Sequence, residues 1–162
     1  MPKLVKVDEL IPQRHGGGTT VSVIDPWVGA KQLHIGCVVY PPKTQHAQPH
    51  SHKAPEEVVV FNLKGTQKAI VEGKEYILGP NMAIFIAPGE THSWFNIGDT
   101  DSVSLHIHAP QGPTLHTTCP KCQYVFRVER MKDGMMSPVA VDEVGSINAT
   151  CPKCKHAFVV QK

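Results

Sequence analysis

Short segments rich in Val, Ile, Phe and Tyr constrain the fold of this chain more than any other feature. β-Branched and aromatic residues bounded by turn residues predict strands, and no segment of this part has the long 3.6-residue period of a helix. Many short, evenly spaced strands favour an all-β sandwich or barrel. Eight such segments occur before residue 110, with Pro, Gly or other turn residues between them: VSVIDPWVG, LHIGCVVYPP, EEVVVFNLKG, TQKAIVEG, KEYILGP, MAIFIAPG, SWFNIG and SVSLHIHAP.

A change in composition divides the chain into two unequal parts. Residues 1–110 hold the predicted strands, residues 111–118 (QGPTLHTT) are interpreted as a linker, and residues 119–162 form a small C-terminal part. Within that part CPKCQYVFRVER at 119–130 is repeated as CPKCKHAFVVQK at 151–162. The repeat predicts two copies of a turn followed by a strand.

The two CPKC turns predict a metal site in the C-terminal part. Two CxxC turns offer four thiolates from two directions, which suits tetrahedral Zn²⁺ and resembles a zinc ribbon or a rubredoxin-type iron site. Two disulfides are the alternative. MPKLVKVDEL lacks the apolar core of a secretory signal, so we expect a cytoplasmic chain, where such pairs bind metal more often. The predicted ligands of a structural Zn²⁺ or Fe ion are Cys119, Cys122, Cys151 and Cys154.

Charge and hydropathy exclude two classes of partner. A formal net charge of +2 gives no basic field of the kind that binds nucleic acid. No stretch approaches the roughly 18 apolar residues of a membrane span. We therefore expect neither nucleic acid nor membrane as a partner, and a small molecule instead.

A second candidate metal site lies in PHSHKAPEE, residues 49–57. Alternate residues of a strand share a face, so His50 and His52 can point at one metal ion. His92, in the Pro-Gly turn of APGETHSWFN, and one glutamate could complete the site. Either Glu56 or Glu57 could serve as the carboxylate, and a solvated polar turn is the alternative interpretation of the whole stretch.

These stretches resemble the two signature motifs of the cupin superfamily. The resemblance covers about residues 30–110 and implies a jelly-roll barrel, also called a double-stranded β-helix, in which three histidines and one glutamate bind Fe²⁺, Mn²⁺, Ni²⁺, Cu²⁺ or Zn²⁺. It favours Glu57, which is separated from His52 by four residues, although seven residues instead of six separate Glu57 from Gly65. It also implies a homodimer. The matching positions are His50, His52, Glu57 and Gly65 in the first motif, and Gly89, His92 and Asn96 in the second.

Other histidines could take part in chemistry at such a site. His106 and His108 share one face of SVSLHIHAP; facing inward they would line the cavity as a catalytic acid or base, and facing outward they would be surface residues. A surface position is favoured for His46. We interpret the remaining four as surface or strand-edge residues: His15, His34, His116 and His156.

A single barrel followed by CxxC…CxxC resembles the bacterial 3-hydroxyanthranilate 3,4-dioxygenases. The resemblance implies a dioxygenase that uses O₂ on a small aromatic or enolic substrate chelated by the metal, with the iron held by His50 or His52, Glu57 and His92. That family holds the substrate carboxylate with two arginines, and this chain has His46 and Asn96 at those positions. A less acidic substrate is therefore expected.

Two other functions remain open from the sequence. The same barrel could be a lyase, isomerase or decarboxylase, with the metal as a Lewis acid and no need for O₂. It could also be a non-enzymatic ligand-binding barrel whose ribbon docks a partner, because one scaffold hosts many functions.

Overall fold

The structure, a computed structural model, describes residues 2–110, 116–132, 135–138 and 145–161. Apart from two 3₁₀ turns, Val7–Glu9 and Pro26–Val28, the regular elements within these ranges are strands, which confirms the all-β prediction. No helix in the same ranges has the length and apolar character needed to cross a membrane.

Ten strands build the N-terminal part. Eight of them, β2, β3 and β5 to β10, coincide with the eight predicted segments. The other two are β1 and β4, which carry the polar sequences QRH and QHAQPH. The bounds are β1 Gln13–His15, β2 Gly18–Ile24, β3 His34–Tyr40, β4 Gln45–His50, β5 Glu57–Lys64, β6 Gln67–Val71, β7 Lys74–Leu78, β8 Met82–Ile86, β9 His92–Asn96 and β10 Ser102–Ala109.

The ten strands form two antiparallel sheets that face each other. The larger sheet has the order β1-β2-β3-β10-β5-β8, and the smaller has the order β4-β9-β6-β7. Sequential neighbours along the chain are repeatedly split between the sheets, as in a jelly roll. The apolar core lies between them and joins residues of both sheets: Val58, Val60, Ile86, Ala69, Val71, Leu78 and Trp94.

Polar side chains occupy a large part of the space between the sheets. They alternate with outward-facing residues on the same strands, so they are interior by the period-two rule. Burying so many polar groups has a free-energy cost unless they are hydrogen-bonded or bind a ligand. The buried members include Tyr40, His46, Asn62, Gln67, Ser102, Ser104 and His106.

The described residues of the C-terminal part form three short pairs of strands. β11 (His116–Thr118) pairs with β12 (Val125–Arg127), β13 (Glu129–Lys132) with β14 (Met135–Pro138), and β15 (Ile147–Thr150) with β16 (Ala157–Val160). The residues of β11 were assigned to the linker from sequence. The predicted linker therefore extends too far towards the C-terminus. Residues 111–115 of the predicted linker lie outside the described residues.

The sequence repeat appears as a structural repeat. The amide of Cys119 donates to the carbonyl of Tyr124 at 2.9 Å, and the amide of Cys151 donates to the carbonyl of His156 at 2.9 Å. The acceptor lies five positions after the donor in both turns, as the aligned sequences require. The two turns bring buried Cys119 and Cys151 into a separate small apolar cluster with Phe126 and Val128.

Candidate metal sites

Three histidines converge at one end of the barrel. His50 is the last residue of β4 and lies opposite His92, the first residue of β9. His52 lies two residues beyond the end of β4, and its carbonyl accepts a hydrogen bond from the amide of Gly89 at 2.9 Å. One ring nitrogen from each of these three histidines lies within 4.8 Å of the other two. The three predicted histidine ligands are therefore brought together, although His52 is held by a loop contact and not by the strand.

Backbone contacts fix the rings of two of these histidines. Nδ1 of His50 lies 2.9 Å from the carbonyl of Gln48, and Nδ1 of His92 lies 2.9 Å from the carbonyl of Glu90. A carbonyl only accepts, so each Nδ1 must carry the proton, which leaves Nε2 with its lone pair. A ring held in this tautomer by a second hydrogen bond is the usual arrangement of a metal-binding histidine.

Glu56, and not the predicted Glu57, stands with the histidines. Oε1 of Glu56 lies 3.1 Å from Nδ1 of His52 and 2.8 Å from Nδ1 of His108. Glu57 begins β5 with an exposed side chain, while Val58 is buried. Glu56 is two residues before Val58 and so shares the inward side of the strand, whereas Glu57 faces outward. The preference for Glu57 is corrected on this ground.

The extra residue before Gly65 has its own explanation. On β10 the neighbours Ser104 and Val103 pair with Asn62 and Lys64, which leaves Leu63 as an additional residue in β5. This is a β-bulge. Gly65 follows with a φ of +77°, and a Cβ on it would lie 2.8 Å from Cα of Ser102. The bulge accounts for one additional residue before Gly65, while the alternation of β5 determines which glutamate faces inward.

The two histidines of β10 both face the interior, but only one reaches the histidine cluster. His108 contacts Glu56, and its ring centroid is 5.0 Å from that of His52. His106 lies deeper, where its Nε2 is 3.2 Å from Oγ of Ser104. Of the two candidate catalytic residues, His108 therefore has contact with the candidate metal site and His106 belongs to the buried interior.

Sequence reasoning missed three histidines of this interior. His34 is buried, with Nε2 3.9 Å from Oδ2 of Asp25 and its ring centroid 5.5 Å from that of His108. His46 is also buried, and the ring of half-buried His15 lies 4.5 Å from it. His34 is in phase with inward-facing Tyr40 on β3, but the sequence alone does not say which face of β3 is the interior.

Burial sets the protonation states around the candidate barrel site. It lowers the pKa of His50, and with the nearby His50 it lowers the pKa of His92 to about 4. Burial raises the pKa of Glu56, but hydrogen bonds with His108 and His52 outweigh this and lower it to about 2. At neutral pH His50 and His92 are therefore neutral and Glu56 is a carboxylate, which are the forms that bind a divalent cation.

Acidification should destabilise the metal-free barrel. Burial lowers the pKa of His46 and His106 well below the ordinary value of 6.5. At pH values below about 6.5 each side chain is neutral in the folded state and protonated in the unfolded state. The unfolded state therefore binds more protons, and the free energy of unfolding decreases as the pH is lowered. We expect urea unfolding of metal-free protein to take up about two protons between pH 6 and 5 from these groups.

The His106→Gln variant should unfold with a shallower pH dependence, since one of the two buried groups no longer titrates. Urea midpoints followed by tryptophan fluorescence from pH 7.5 to 5 measure both slopes. A free energy of unfolding that stays constant over this range would contradict the assignment.

The four predicted cysteines form a second cluster. Sγ of Cys119 lies 3.6 Å from Sγ of Cys154, and Sγ of Cys122 lies 3.6 Å from Sγ of Cys151. Four sulfurs about 2.3 Å from a tetrahedral Zn²⁺ lie about 3.8 Å apart, so this spacing fits Zn²⁺. Although burial raises the pKa of Cys119, the backbone amides of Cys122 and Lys121 lower it to about 7, towards the thiolate that binds metal.

Comparison with known proteins supports the fold of the barrel. Residues 36–108 match the family model described as the cupin domain. None of the curated proteins matches the chain significantly.

Solved structures of similar fold cover about two thirds of the chain. KdgF from Halomonas sp. has a TM-score of 0.61 and 18% identity over 68% of this chain and 96% of its own. A predicted oxalate decarboxylase from Thermotoga maritima has a TM-score of 0.60 and 22% identity over 67% and 100%. The polyketide cyclase RemF from Streptomyces resistomycificus has a TM-score of 0.60 and 24% identity over 68% and 81%. With the family match at residues 36–108, these likenesses show that the barrel of this chain has the cupin fold.

Proposed function

We propose that the barrel is a metal-dependent dioxygenase that acts on a small aromatic or enolic substrate. The observation that carries the proposal is the convergence of three imidazoles beside the Glu56–His108 pair. Three histidines with one carboxylate suit Fe²⁺ and also Mn²⁺, Ni²⁺, Cu²⁺ and Zn²⁺. When bound, such a metal supplies Lewis acidity and, for iron, redox chemistry with O₂ at coordination positions that the protein leaves open.

Glu56 and His108 are suited to handle the substrate proton. A hydroxyl that chelates a metal ion is acidified and needs a nearby base. His108 is within hydrogen-bond distance of a carboxylate that stabilises its protonated form, and the pair lies at the same end of the barrel as the three imidazoles. In the proposed reaction His108 accepts the hydroxyl proton and Glu56 holds the imidazolium in place.

Uncharged polar groups around the interior favour an uncharged, oxygen-bearing substrate. Tyr40 Oη, His46 Nδ1 and Gln67 Oε1 are buried and have no hydrogen-bond partner within the described part of the chain. Such orphaned groups are expected to meet water or a ligand. No arginine occurs between Arg14 and Arg127, and Arg14 is exposed on β1, so the described interior of the barrel has no guanidinium for a substrate carboxylate.

The two positions that carry arginine in the 3-hydroxyanthranilate dioxygenases support the same substrate class. Burial keeps the pKa of His46 well below its usual value, so this side chain is neutral. The Asn96 amide nitrogen donates to the backbone carbonyls of Tyr40, Pro41 and Thr100, which commits it to holding a turn. Neither residue is a candidate clamp for a carboxylate.

A metal-dependent lyase, isomerase or decarboxylase is the second candidate. The Glu56–His108 pair can move a proton without any oxidant, and that observation suits these reactions equally well. Among the proteins of similar fold, one is named a polyketide cyclase and another a predicted oxalate decarboxylase. Dependence on O₂ separates the two candidates.

The first experiment measures metal content and oxygen demand together. Protein purified without added metal is analysed for metal per chain, alongside a His50→Ala/His92→Ala variant that retains all four cysteines. The wild type is then loaded with Fe²⁺ under argon and mixed with catechols, enols and hydroxy acids in an oxygen electrode. We expect one metal per chain to disappear in the variant, and O₂ uptake equimolar with substrate loss in the wild type.

Two outcomes would decide against the proposal. Full turnover under argon would exclude the dioxygenase and favour the second candidate. Equal metal content in the wild type and the double histidine variant would contradict the proposal that the barrel binds a metal ion.

A further inference from the structure

A small cavity lies where the N-terminal segment, the barrel and the C-terminal part meet. Its volume is about 60 Å³, and one water molecule needs about 10–15 Å³ of such space, so the cavity holds about four to six water-sized groups. None of its described lining residues belongs to the histidine cluster or is a metal-binding cysteine. The lining residues include Gln13, Ser22, Asp25, Trp27, Tyr124 and Phe126.

Hydrogen bonds fix the walls of this cavity from both sides. On the barrel side the indole Nε1 of Trp27 donates to the carbonyl of Ser22 at 3.4 Å. On the opposite side the Tyr124 side chain makes a hydrogen bond with the backbone of Ile11. The carbonyl of Tyr124 also accepts from the amide of Cys119 at 2.9 Å within the first CPKC turn. Because these bonds form without a ligand, the cavity is preformed, as small-molecule sites usually are.

The walls favour a planar and uncharged ligand. Three aromatic rings line the cavity, of which Trp27 is 39% exposed and borders solvent while Phe126 is buried. A planar ligand can stack on such rings or meet them edge to face. A cation would meet a like charge, because Nζ of Lys153 already lies 5.8 Å from the ring centroid of Tyr124. An anion would meet the carboxyl group of Asp25.

The polar side of the cavity offers hydrogen-bond acceptors. It is formed by Gln13, Ser22 and Asp25, whose amide, hydroxyl and carboxyl oxygens can all accept. Oγ of Ser22 lies 3.4 Å and Oδ2 of Asp25 lies 3.9 Å from Nε2 of His34, so these two side chains belong to a polar group that continues into the barrel. A ligand with an N–H or O–H group therefore finds an acceptor here, whereas a ligand that offers only lone pairs gains less.

We propose that this cavity binds a small, planar, uncharged molecule that donates a hydrogen bond, such as a heteroaromatic ring with an N–H group. The aromatic rings supply the apolar contact, and the three polar side chains supply the acceptor. The site is distinct from that of the metal-dependent reaction proposed above, because its described lining residues include none of the three clustered histidines. Binding should therefore persist in the His50→Ala/His92→Ala variant.

Pyrrole and furan are matched probes of this site. Both are five-membered planar rings that fit the volume of the cavity, but pyrrole has an N–H donor where furan has an oxygen that only accepts. We expect a dissociation constant in the millimolar range for pyrrole, because so small a ligand buries little surface. The dissociation constant of furan should be at least about tenfold higher, because furan leaves the acceptors of the cavity unpaired.

The two tryptophans of the chain provide the readout. Trp27 lines the cavity, whereas Trp94 is buried in the core between the sheets, with its ring centroid 6.3 Å from that of His92. In ¹H–¹⁵N spectra of the full chain we expect pyrrole to shift the indole resonance of Trp27 and to leave that of Trp94 in place. A shift of Trp94 without a shift of Trp27 would place pyrrole in the barrel and overturn the proposal.

A matched pair of aromatic substitutions tests the wall. Trp27→Leu should raise the dissociation constant of pyrrole about tenfold, as measured by saturation transfer to the ligand. Phe85→Leu, at a site 55% exposed and outside the cavity, should leave it unchanged. Circular dichroism checks that both variants fold, and the indole shift of the wild type decides the matter if Trp27→Leu does not. Equal affinity for pyrrole and furan, or an equal loss of affinity in the two variants, would overturn the proposal.

Discussion

Replacing Glu56 by Gln is expected to lower turnover of the metal-loaded protein about a thousandfold, whereas Glu57→Gln should leave it unchanged. Glu56 contacts both His52 and His108 through one oxygen, so the substitution removes the charge that orients one imidazole and stabilises the protonated form of the other. The side chain of Glu57 is exposed on the opposite side of the same strand. The two variants differ by one position and carry the same chemical change, which makes each the control of the other.

Metal affinity should separate two roles of Glu56. A carboxylate that orients a metal-binding histidine typically contributes 10- to 100-fold to affinity, and the metal still binds at saturation. A direct ligand contributes more, and its loss changes the coordination spectrum of a Co²⁺-substituted site. Competition with a chelator measures the metal affinity of Glu56→Gln and Glu57→Gln, and the Co²⁺ absorption spectrum of each variant reports its coordination. Loss of metal in Glu57→Gln with full binding in Glu56→Gln would falsify the placement of the carboxylate.

The choice between the two glutamates shows where sequence reasoning reached its limit. In EEVVVFN both sets of alternate residues are largely apolar, since Val58 and Val60 face the core while Val59 and Phe61 face outward. Alternation identifies a strand in this segment but cannot say which of its faces is inside. The preference for Glu57 therefore depended on motif spacing. The bulge at Leu63 shows that the number of residues before Gly65 does not identify the inward-facing glutamate.

The polar interior limited sequence reasoning in a second way. β4 carries QHAQPH, so it lacks the hydrophobic pattern of a strand, yet it pairs with β9 and holds His46 and His50 inside the barrel. His34 was interpreted as a surface or strand-edge residue, because the sequence of β3 does not say which of its faces is the interior. Sites of function are where a chain departs from the rule that apolar residues fill the interior. The two cupin-like motifs identified His50, His52 and His92 because they do not depend on that rule.

The C-terminal cysteines were the most predictable feature, because two identical CPKC turns leave little choice of ligand. The four sulfurs converge as the spacing requires, and the same backbone hydrogen bonds form in both turns. Among the described residues of this part the apolar cluster is small, with Phe126 and Val128 as its large buried side chains besides the cysteines. A core of this size does not stabilise about 40 residues without a metal or disulfide.

Replacing Cys154 by Ser should therefore unfold the C-terminal part and leave the barrel folded. Structural Zn²⁺ contributes an apparent binding free energy of about 10–16 kcal/mol in comparable small domains, which exceeds what this apolar cluster can supply. We expect the variant to lose one metal per chain and to be cleaved by trypsin within residues 119–162, while the three barrel histidines keep their metal. The barrel survives because its core cluster contains no residue of the C-terminal part.

Cys37→Ser is the matched control, because Cys37 lies on β3 of the barrel and outside the four-cysteine cluster. That variant should keep both metals and resist trypsin as the wild type does. A Cys154→Ser protein that binds no metal at the ribbon yet stays resistant within residues 119–162 would show that packing alone holds this part together. Loss of the barrel metal in the same variant would show that the two metal sites depend on each other.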